Sequence, residues 1–296
     1  NPRSQNRRRA RHKRGSMYEA FFGLRDAPFS LTPNTRYFLR APSHGQALEL
    51  LLVALRQKEG FIKVSGEVGT GKTLLCRLLL NALEGKLTTA YLPNPQLGPK
   101  ELFEAIADEL GVTLDDASNT HRALSALQQY LIDNAASAGA AVLVIDEAQS
   151  MPVETLEALR LLTNLETEKR KLLQVVLFGQ PELDALLARP DLRQLSQRIT
   201  FQHKLETLAP ETVSDYLQHR LARAGWNGGR LFQPRAVRLI SRASGGTPRL
   251  INILAHKALI AAYGRGEREV TSRHVRQAIR DTDTVVRRPG VLGGLL

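Results

Sequence analysis

The 296-residue sequence predicts an α/β fold, a parallel sheet with helices on both faces, followed by a smaller all-helical region. Three observations carry that expectation. Short apolar runs alternate with stretches of helical periodicity from about residue 61 to 178. One run, Val142-Leu143-Val144-Ile145, is apolar at every position, as a strand buried on both faces of a sheet must be. Beyond about residue 204 only helical patterns continue.

Taken in order, Phe21-Phe22-Gly23-Leu24 to Pro28-Phe29 and Pro33 reads as an irregular arm, because turn formers separate its aromatics. Ser43 and Gln46 have the spacing of a capping box, and Ala47, Leu48, Leu51, Leu52 and Leu55 follow at helical intervals. Phe61 to Val64 is a short strand running into Gly66, and Thr88 to Leu92 is another. Pro99 to Leu110 places Leu102, Phe103, Ile106 and Leu110 on one helical face, and Leu124, Leu127, Leu131 and Ile132 mark the next helix. A helix over Val153 to Leu165 and a strand over Leu173 to Phe178 complete the alternation. Helices are expected over Pro210–Ala224, Pro234–Ala243, Pro248–Tyr263 and Ser272–Asp281. The resulting division is a basic tail (1–16), a core (17–204), a helical domain (205–282) and a C-terminal tail (283–296), with no internal repeat.

Composition narrows the function classes. A single cysteine cannot form an internal disulfide, which fits a reducing compartment such as the cytoplasm. No stretch reaches the roughly 18 apolar residues of a transmembrane helix; Val291 to Leu296 is far too short, and no signal peptide is expected. Of the formal charge of +12, residues 1–16 hold +7, from Arg3, Arg7, Arg8, Arg9, Arg11, Lys13 and Arg14. That tail reads either as an arm for nucleic acid or acidic lipid, or as residues upstream of a start at Met17. The remaining +5 reads as dispersed among acids, so DNA is possible but not the favoured partner, and without the tail weak duplex binding is expected.

Gly66-Glu67-Val68-Gly69-Thr70-Gly71-Lys72-Thr73 satisfies G-x-x-x-x-G-K-[ST] in full. Glycines let backbone N–H groups close around phosphate oxygens, and the helix that follows, beginning near Leu74, presents its positive end to the anion. Lys72 is placed for the β- and γ-phosphates and the Thr73 hydroxyl for Mg²⁺, so ATP and Mg²⁺ are the expected cofactors. A chance match in a chain of this length is on the order of one in a hundred, and the apolar strand before it and the Leu-rich helix after it lower that further. The apolar run 142–145 delivers Asp146 and Glu147 at a strand's C-terminal end, where α/β sheets bind ligands. Asp146 is expected in the Mg²⁺ shell and Glu147 beside an attacking water.

These segments resemble AAA+ ATPases, and within them the secretion-pathway protein A group with its relatives among pilus-biogenesis ATPases. The resemblance covers roughly residues 17–281. It rests on Tyr18 to Phe22, Gly23-Leu24, Pro28-Phe29, Gly66 to Thr73, Val144 to Gln149, Gly179-Gln180-Pro181-Glu182-Leu183 and Gly245-Gly246-Thr247-Pro248-Arg249. It implies an αβα core with a helical lid, and ATP in the crevice between them. Full-length secretion relatives carry a membrane segment and a peptidoglycan-binding part, so the expectation is the shorter pilus type. The resemblance further implies a sensor role for Gln180, where the group's usual residue is Asn, the competing reading being a turn residue before Pro181. Arg249 resembles a sensor arginine from the lid. A cation in the first turn after Thr247 and Pro248 opposes the helix dipole unless an anion offsets it. Arg198, with Arg193 as rival, resembles an arginine finger inserted into a neighbouring subunit's site.

Cys76 reads as a small core residue, Trp226 as packing, and His44 as a surface residue at a helix start, with the adenine's vicinity as its alternative; the seven histidines show no metal spacing. The favoured function is ATP-driven assembly of a type IV pilus or secretion apparatus. It implies a homo-oligomer, as a ring or nucleotide-dependent assembly, and assembly-protein partners at the inner membrane docking on the Phe21-Phe22 arm or the lid. A DNA-associated regulator of the transposition type and a nucleotide-binding scaffold without turnover are the alternatives; intact Lys72, Asp146 and Glu147 argue against the last.

Overall fold

The computed structural model describes residues 17–114, 120–137, 139–163, 166–167 and 170–283. They form two compact units, one of residues 40–206 and one that joins the N-terminal segment to residue 39 with the chain from 207 onward. Residues 1–16 and 284–296 and Leu165, all part of the sequence expectations, lie outside the described residues.

The strands, in chain order, are β1 (Phe61–Gly66), β2 (Thr89–Leu92), β3 (Ala141–Ile145), β4 (Glu166–Thr167), β5 (Arg170–Lys171), β6 (Leu173–Gly179) and β7 (Ile199–Leu205). Five make one sheet in the order β2-β3-β6-β1-β7, every pairing parallel; β4 and β5 form a separate antiparallel pair. The period of two along each strand sorts side chains between two cores. Leu143, Ile145, Val175 and Leu177 face one, filled from helices Pro99–Leu110, Thr120–Ser137 and Val153–Leu162. Val142, Val144, Ile62, Val64, Val176 and Phe178 face the other, under helices Pro42–Arg56 and Lys72–Leu83. Cys76 belongs to this second core, fully buried, and burial pushes its thiol well above the usual range. Gln174 is the polar exception in an apolar strand. Its amide donates to the Leu55 carbonyl (3.1 Å) and the Glu59 carbonyl (2.9 Å), tying the strand to the end of helix Pro42–Arg56.

Several expectations are corrected here. Ser43 does not cap a helix. Helix Pro42–Arg56 starts two residues earlier than that cap implies, with Ala41 at N-cap and Pro42 at N1, whose fixed φ suits that position. The Ser43 hydroxyl instead accepts from the Glu206 N–H at 3.1 Å. The reading from sequence passed over β7, because its alternating polar residues (Thr200, Gln202, Lys204) look unlike a buried parallel strand. As the sheet's edge, β7 meets solvent and needs only half its positions apolar.

The helical unit contains helices Thr212–Arg223, Pro234–Ser244, Pro248–Gly264 and Ser272–Arg280. The segment 17–39, expected to begin the sheet-bearing core, belongs to this unit instead. It opens with the short helix Met17–Phe22, which takes in Phe21 and Phe22, and is irregular from Gly23 to Asn34, as expected. Phe22 is buried, and the half-buried Phe21 stacks edge-on against Tyr263 with the Arg268 guanidinium 4.0 Å from its ring centre. The Tyr18 hydroxyl lies 3.1 Å from His256 Nδ1. The strongest tether is Arg220. Buried at 5% exposure, it donates from Nε to the Pro28 carbonyl (2.6 Å), from Nη2 to the Ser30 carbonyl (3.2 Å) and from Nη1 to the Tyr216 hydroxyl (3.2 Å), with its plane over the Tyr37 ring.

Charge divides between the units. Residues 40–206 carry 17 Lys and Arg against 21 acids, a net −4, whereas residues 207–296 carry 15 against 6, a net +9. The body is therefore not uniformly and weakly basic, as the whole-chain figure suggests.

Removing Arg220 leaves the buried Pro28 carbonyl without its donor, at a cost on the order of 1–3 kcal/mol, and also frees the more exposed Ser30 carbonyl and the Tyr216 hydroxyl. Arg220→Ala is expected to destabilise the helical unit by about 3 kcal/mol, read as a lower urea midpoint, and to make the 17–39 segment sensitive to limited proteolysis. Arg220→Lys should recover little of this, because one ammonium cannot reproduce the planar fork.

Candidate functional site

Three neighbouring parallel strands end at one place. Ser65 of β1 is level with Gly179 of β6, and Ile145 of β3 is level with Leu177, so the chain leaves the sheet at Gly66, Asp146 and Gln180 side by side. Gly66 opens a loop that returns into helix Lys72–Leu83. A side chain at Gly66 would place its Cβ 2.9 Å from the Leu205 carbonyl oxygen, and Gly71 has φ +107°, so both positions require glycine. Gly71 is also the helix N-cap and supplies no side-chain cap, which leaves the first N–H groups of the helix available to an anion. His44, expected at the surface, is buried beneath this loop. Its Nε2 lies 2.7 Å from the Thr70 carbonyl, and burial holds its pKa below the usual imidazole value.

Lys72 is buried, with Nζ donating to the Gly66 (2.8 Å) and Glu67 (3.0 Å) carbonyls of the same loop. Burial lowers its pKa, opposed by the charges of Glu147 and Asp146. Glu67 and Val68 form the exposed rim, Gly69 turns with φ +81°, Thr70 donates to the Glu67 carbonyl (2.8 Å), and Leu74 continues the helix. The Thr73 hydroxyl donates to Asp146 Oδ2 at 2.7 Å, and the Glu147 N–H donates to Asp146 Oδ1 at 3.0 Å. Burial raises the Asp146 carboxyl, against the pull of these two hydrogen bonds.

Glu147 has φ +53°, left-handed backbone that a non-glycine residue adopts at a cost. Its side chain is clamped by two amides: Gln149 Nε2 donates to Oε2 at 2.7 Å and Gln180 Nε2 donates to the same oxygen at 3.0 Å. Gln149 Oε1 in turn accepts from the Gln180 N–H at 2.9 Å, closing the triangle. Burial works to raise the Glu147 carboxyl, but the hydrogen bonds from Gln180 and Gln149 and the charge of Lys72 outweigh it and hold it below the ordinary carboxylate value. The family resemblance assigns Gln149 no role. Its signal in the sequence is only its spacing of two from Glu147, and its partner Gln180 lies 31 residues away.

The donor set suits a polyphosphate with a hard divalent cation: free helix N–H groups, a lysine, and one hydroxyl paired with one carboxylate. Among the described residues no cluster of three or more His, Cys, Asp or Glu side chains could hold a metal by itself. Mg²⁺ needs none, since it keeps waters and phosphate oxygens around one or two protein ligands.

Two of the remaining expected residues belong to the sheet-bearing unit and one to the helical unit. Ile199 pairs with Phe61, at the opposite end of β1 from Gly66. Arg198, which directly precedes Ile199, is therefore removed from its own phosphate loop by about the length of β1, roughly 15–20 Å at about 3.3 Å per residue; Arg193 opens the short helix Arg193–Ser196. Arg249 is exposed in the first turn of helix Pro248–Gly264, in the helical unit.

A parallel sheet of order β2-β3-β6-β1-β7, a phosphate loop after β1 and Asp-Glu after β3 define the class. Residues 55–187 match the AAA domain family, and the chain carries an AAA domain with the AAA+ fold. Over 254 residues it is 44% identical to General secretion pathway protein A of Aeromonas hydrophila, and it is related to that protein. The match covers 86% of this chain and 46% of that protein, so the chain spans about half the relative's length. Among solved structures, Cdc6p from Pyrobaculum aerophilum superposes with a TM-score of 0.69 at 19% identity, over 86% of this chain and 70% of that one. The Holliday junction branch migration motor RuvB of Thermotoga maritima superposes with a TM-score of 0.55 at 15% identity, over 80% of this chain and 68% of that one. At these identities the likeness concerns the fold.

The amide clamp makes a prediction that needs no ligand. In Gln180→Leu or Gln149→Leu one stabilising hydrogen bond to the charged form is lost, so the Glu147 carboxyl should titrate at higher pH than in the parent. A depressed carboxyl stabilises the fold at pH above its unfolded value and loses that contribution as pH falls through the folded value. Either substitution should therefore reduce stability at neutral pH and narrow the gap toward acid, as followed by carboxyl-carbon NMR and by urea titrations at stepped pH.

Proposed function

We propose that this chain binds ATP with Mg²⁺ and hydrolyses it, and that turnover drives conformational work in assembling a secretion apparatus or type IV pilus. The observation that carries the catalytic part is the Glu147 carboxylate, held ionised and oriented by Gln149 and Gln180 beside the Thr73–Asp146 pair. A scaffold without turnover has no use for a strained, doubly clamped carboxylate at this point.

The phosphate loop, through its N–H groups and Lys72, binds and orients the triphosphate. Thr73 and Asp146 are the residues that would hold Mg²⁺, which when bound neutralises charge on the phosphate oxygens. Glu147 accepts a proton from water as the water oxygen bonds to the γ-phosphorus and the bond to the β–γ bridging oxygen breaks. Gln180 acts through Glu147 as a positioning residue and reports the state of the γ-phosphate site. Arg249 supplies a cation from the helical unit, and the anion it meets offsets its unfavourable place at a helix N-terminus. The position of Arg198, at the far end of β1 from its own loop, supports a role in the site of a second copy within a homo-oligomer. The likeness to a general secretion pathway protein supports the assembly role and partners among assembly proteins at the inner membrane.

Lys72→Ala is expected to abolish ATP binding in equilibrium titration. Glu147→Gln should bind ATP normally while turnover falls by about 100-fold or more, as general-base loss does; a parental rate in that variant would remove the assignment.

Mixing tests the shared site. Arg198→Ala keeps an intact loop of its own, so an excess of it added to the parent chain should lower ATPase rate per parent subunit. Full activity from a species that light scattering shows to be monomeric would exclude the shared arginine.

A further inference from the structure

The two most amphipathic helices of the helical unit are Pro234–Ser244 and Ser272–Arg280, and they repeat one another. Arg235-Ala236-Val237-Arg238-Leu239-Ile240-Ser241-Arg242 and Arg273-His274-Val275-Arg276-Gln277-Ala278-Ile279-Arg280 share the pattern R-x-V-R-x-x-x-R at an offset of 38 residues, a repeat the reading from sequence overlooked. In each helix the three arginines are exposed at i, i+3 and i+7, one helical face, while Ala236 and Ile240, and His274, Val275 and Ala278, are buried.

The tertiary structure sets these faces level. Phe232 and Val270 form a parallel bridge, with the Gln233 N–H donating to the Val270 carbonyl (3.0 Å) and the Val270 N–H to the Leu231 carbonyl (2.8 Å). Each helix begins two residues beyond its bridged residue, and its first arginine stands three beyond. The helices then pack against one another. The first arginines of the two helices thus stand level along the chain, and each exposed run of three spans about 10 Å at about 1.5 Å per residue, on axes about 8–10 Å apart.

Nothing within the described residues neutralises them. Neither helix contains an acid, and none of the six arginines has an ion pair or hydrogen bond there. Of the acids around them, Glu269 accepts from Gln233 (2.9 Å), Glu267 lies 3.2 Å from His274, Asp281 follows the last turn, and the exposed Glu211 shares a cleft with Arg238 without pairing to it. The choice of cation is also distinctive. Residues 40–206 use 8 lysines and 9 arginines, whereas residues 207–283 use 1 lysine and 12 arginines. A diffuse field needs only charge, while arginine's planar fork fits phosphate oxygens in pairs.

We propose that the paired arginine faces of helices Pro234–Ser244 and Ser272–Arg280 bind the phosphodiester backbone of duplex nucleic acid without reading its sequence. An acidic membrane surface fits less well. Surface-lying helices insert large apolar side chains among their cations, and on these two faces no large apolar residue is exposed because the apolar sides are committed to the unit's interior. The inference stands apart from nucleotide turnover, and it replaces the expectation that the folded body binds DNA only weakly, which treated +5 as dispersed.

The test is fluorescence anisotropy of a labelled, mixed-sequence duplex of about 30 base pairs with the full chain, without nucleotide, from 50 to 200 mM salt. Each phosphate neutralised adds about 0.9 to the steepness of log K against log salt. Replacing Arg235, Arg238, Arg242, Arg273, Arg276 and Arg280 together by Gln should lower that steepness by about 5, and either triple replacement alone by about half as much. The triple variants keep the test decisive if the six-fold variant folds poorly, and circular dichroism confirms that they retain their helices. The matching Arg→Lys variants should keep most of the steepness but bind more weakly. An unchanged salt dependence in the variants, with binding carried by Arg7 to Arg14, would overturn the proposal. Stronger capture by phosphatidylglycerol vesicles than by duplex, lost in the same variants, would overturn it in favour of a lipid surface.

Discussion

Adjacent parallel pairing of β3, β6 and β1 is the constraint from which the site follows. In a parallel sheet every strand exits at the same edge, so neighbouring strands deliver residues far apart in sequence to one line. Thr73 and Asp146 are 73 residues apart and share a 2.7 Å hydrogen bond because β1 and β3 flank β6 in register. The apolar density of these strands, buried on both faces, keeps that register from slipping, since a shift of one residue would exchange the two cores.

On this edge the structure concentrates groups that are expensive to hold. Lys72 and Asp146 are buried ionisable groups, and Glu147 sits in left-handed backbone. Each is compensated locally: Lys72 by loop carbonyls, Asp146 by a hydroxyl and an N–H, Glu147 by two side-chain amides. The compensation is reciprocal in the clamp, where Gln149 both donates to Glu147 and accepts from the Gln180 backbone. Such a closed network tolerates burial only if every member is present, so truncating an amide should be felt at the carboxylate it holds.

The second unit is built on different terms. Its N-terminal segment is held by a buried arginine and aromatic contacts, and its surface carries the positive charge that the sheet-bearing unit lacks. A whole-chain charge averages over two units of opposite sign and conceals both.

The phosphate loop, the Asp146-Glu147 pair and the apolar strands were legible in the sequence, because each depends on neighbours within a few residues: glycines where the backbone must turn, a run apolar at every position, helical periodicity. What depended on distant partners was not. Ser43 has the spacing of a cap, yet Pro42 starts the helix and Ser43 bonds to Glu206. Strand β7 alternates like a solvent-facing strand because it is an edge, a fact of sheet order. Gln149, His44 and Arg220 gain their places only through partners 31, 26 and up to 192 residues away. The level start of the two arginine runs rests on one bridge between Phe232 and Val270. Local pattern therefore determined which elements form and which chemistry they carry. Sheet order and the packing of remote segments decided which side chains meet, because hydrogen bonds and burial are settled by proximity in space.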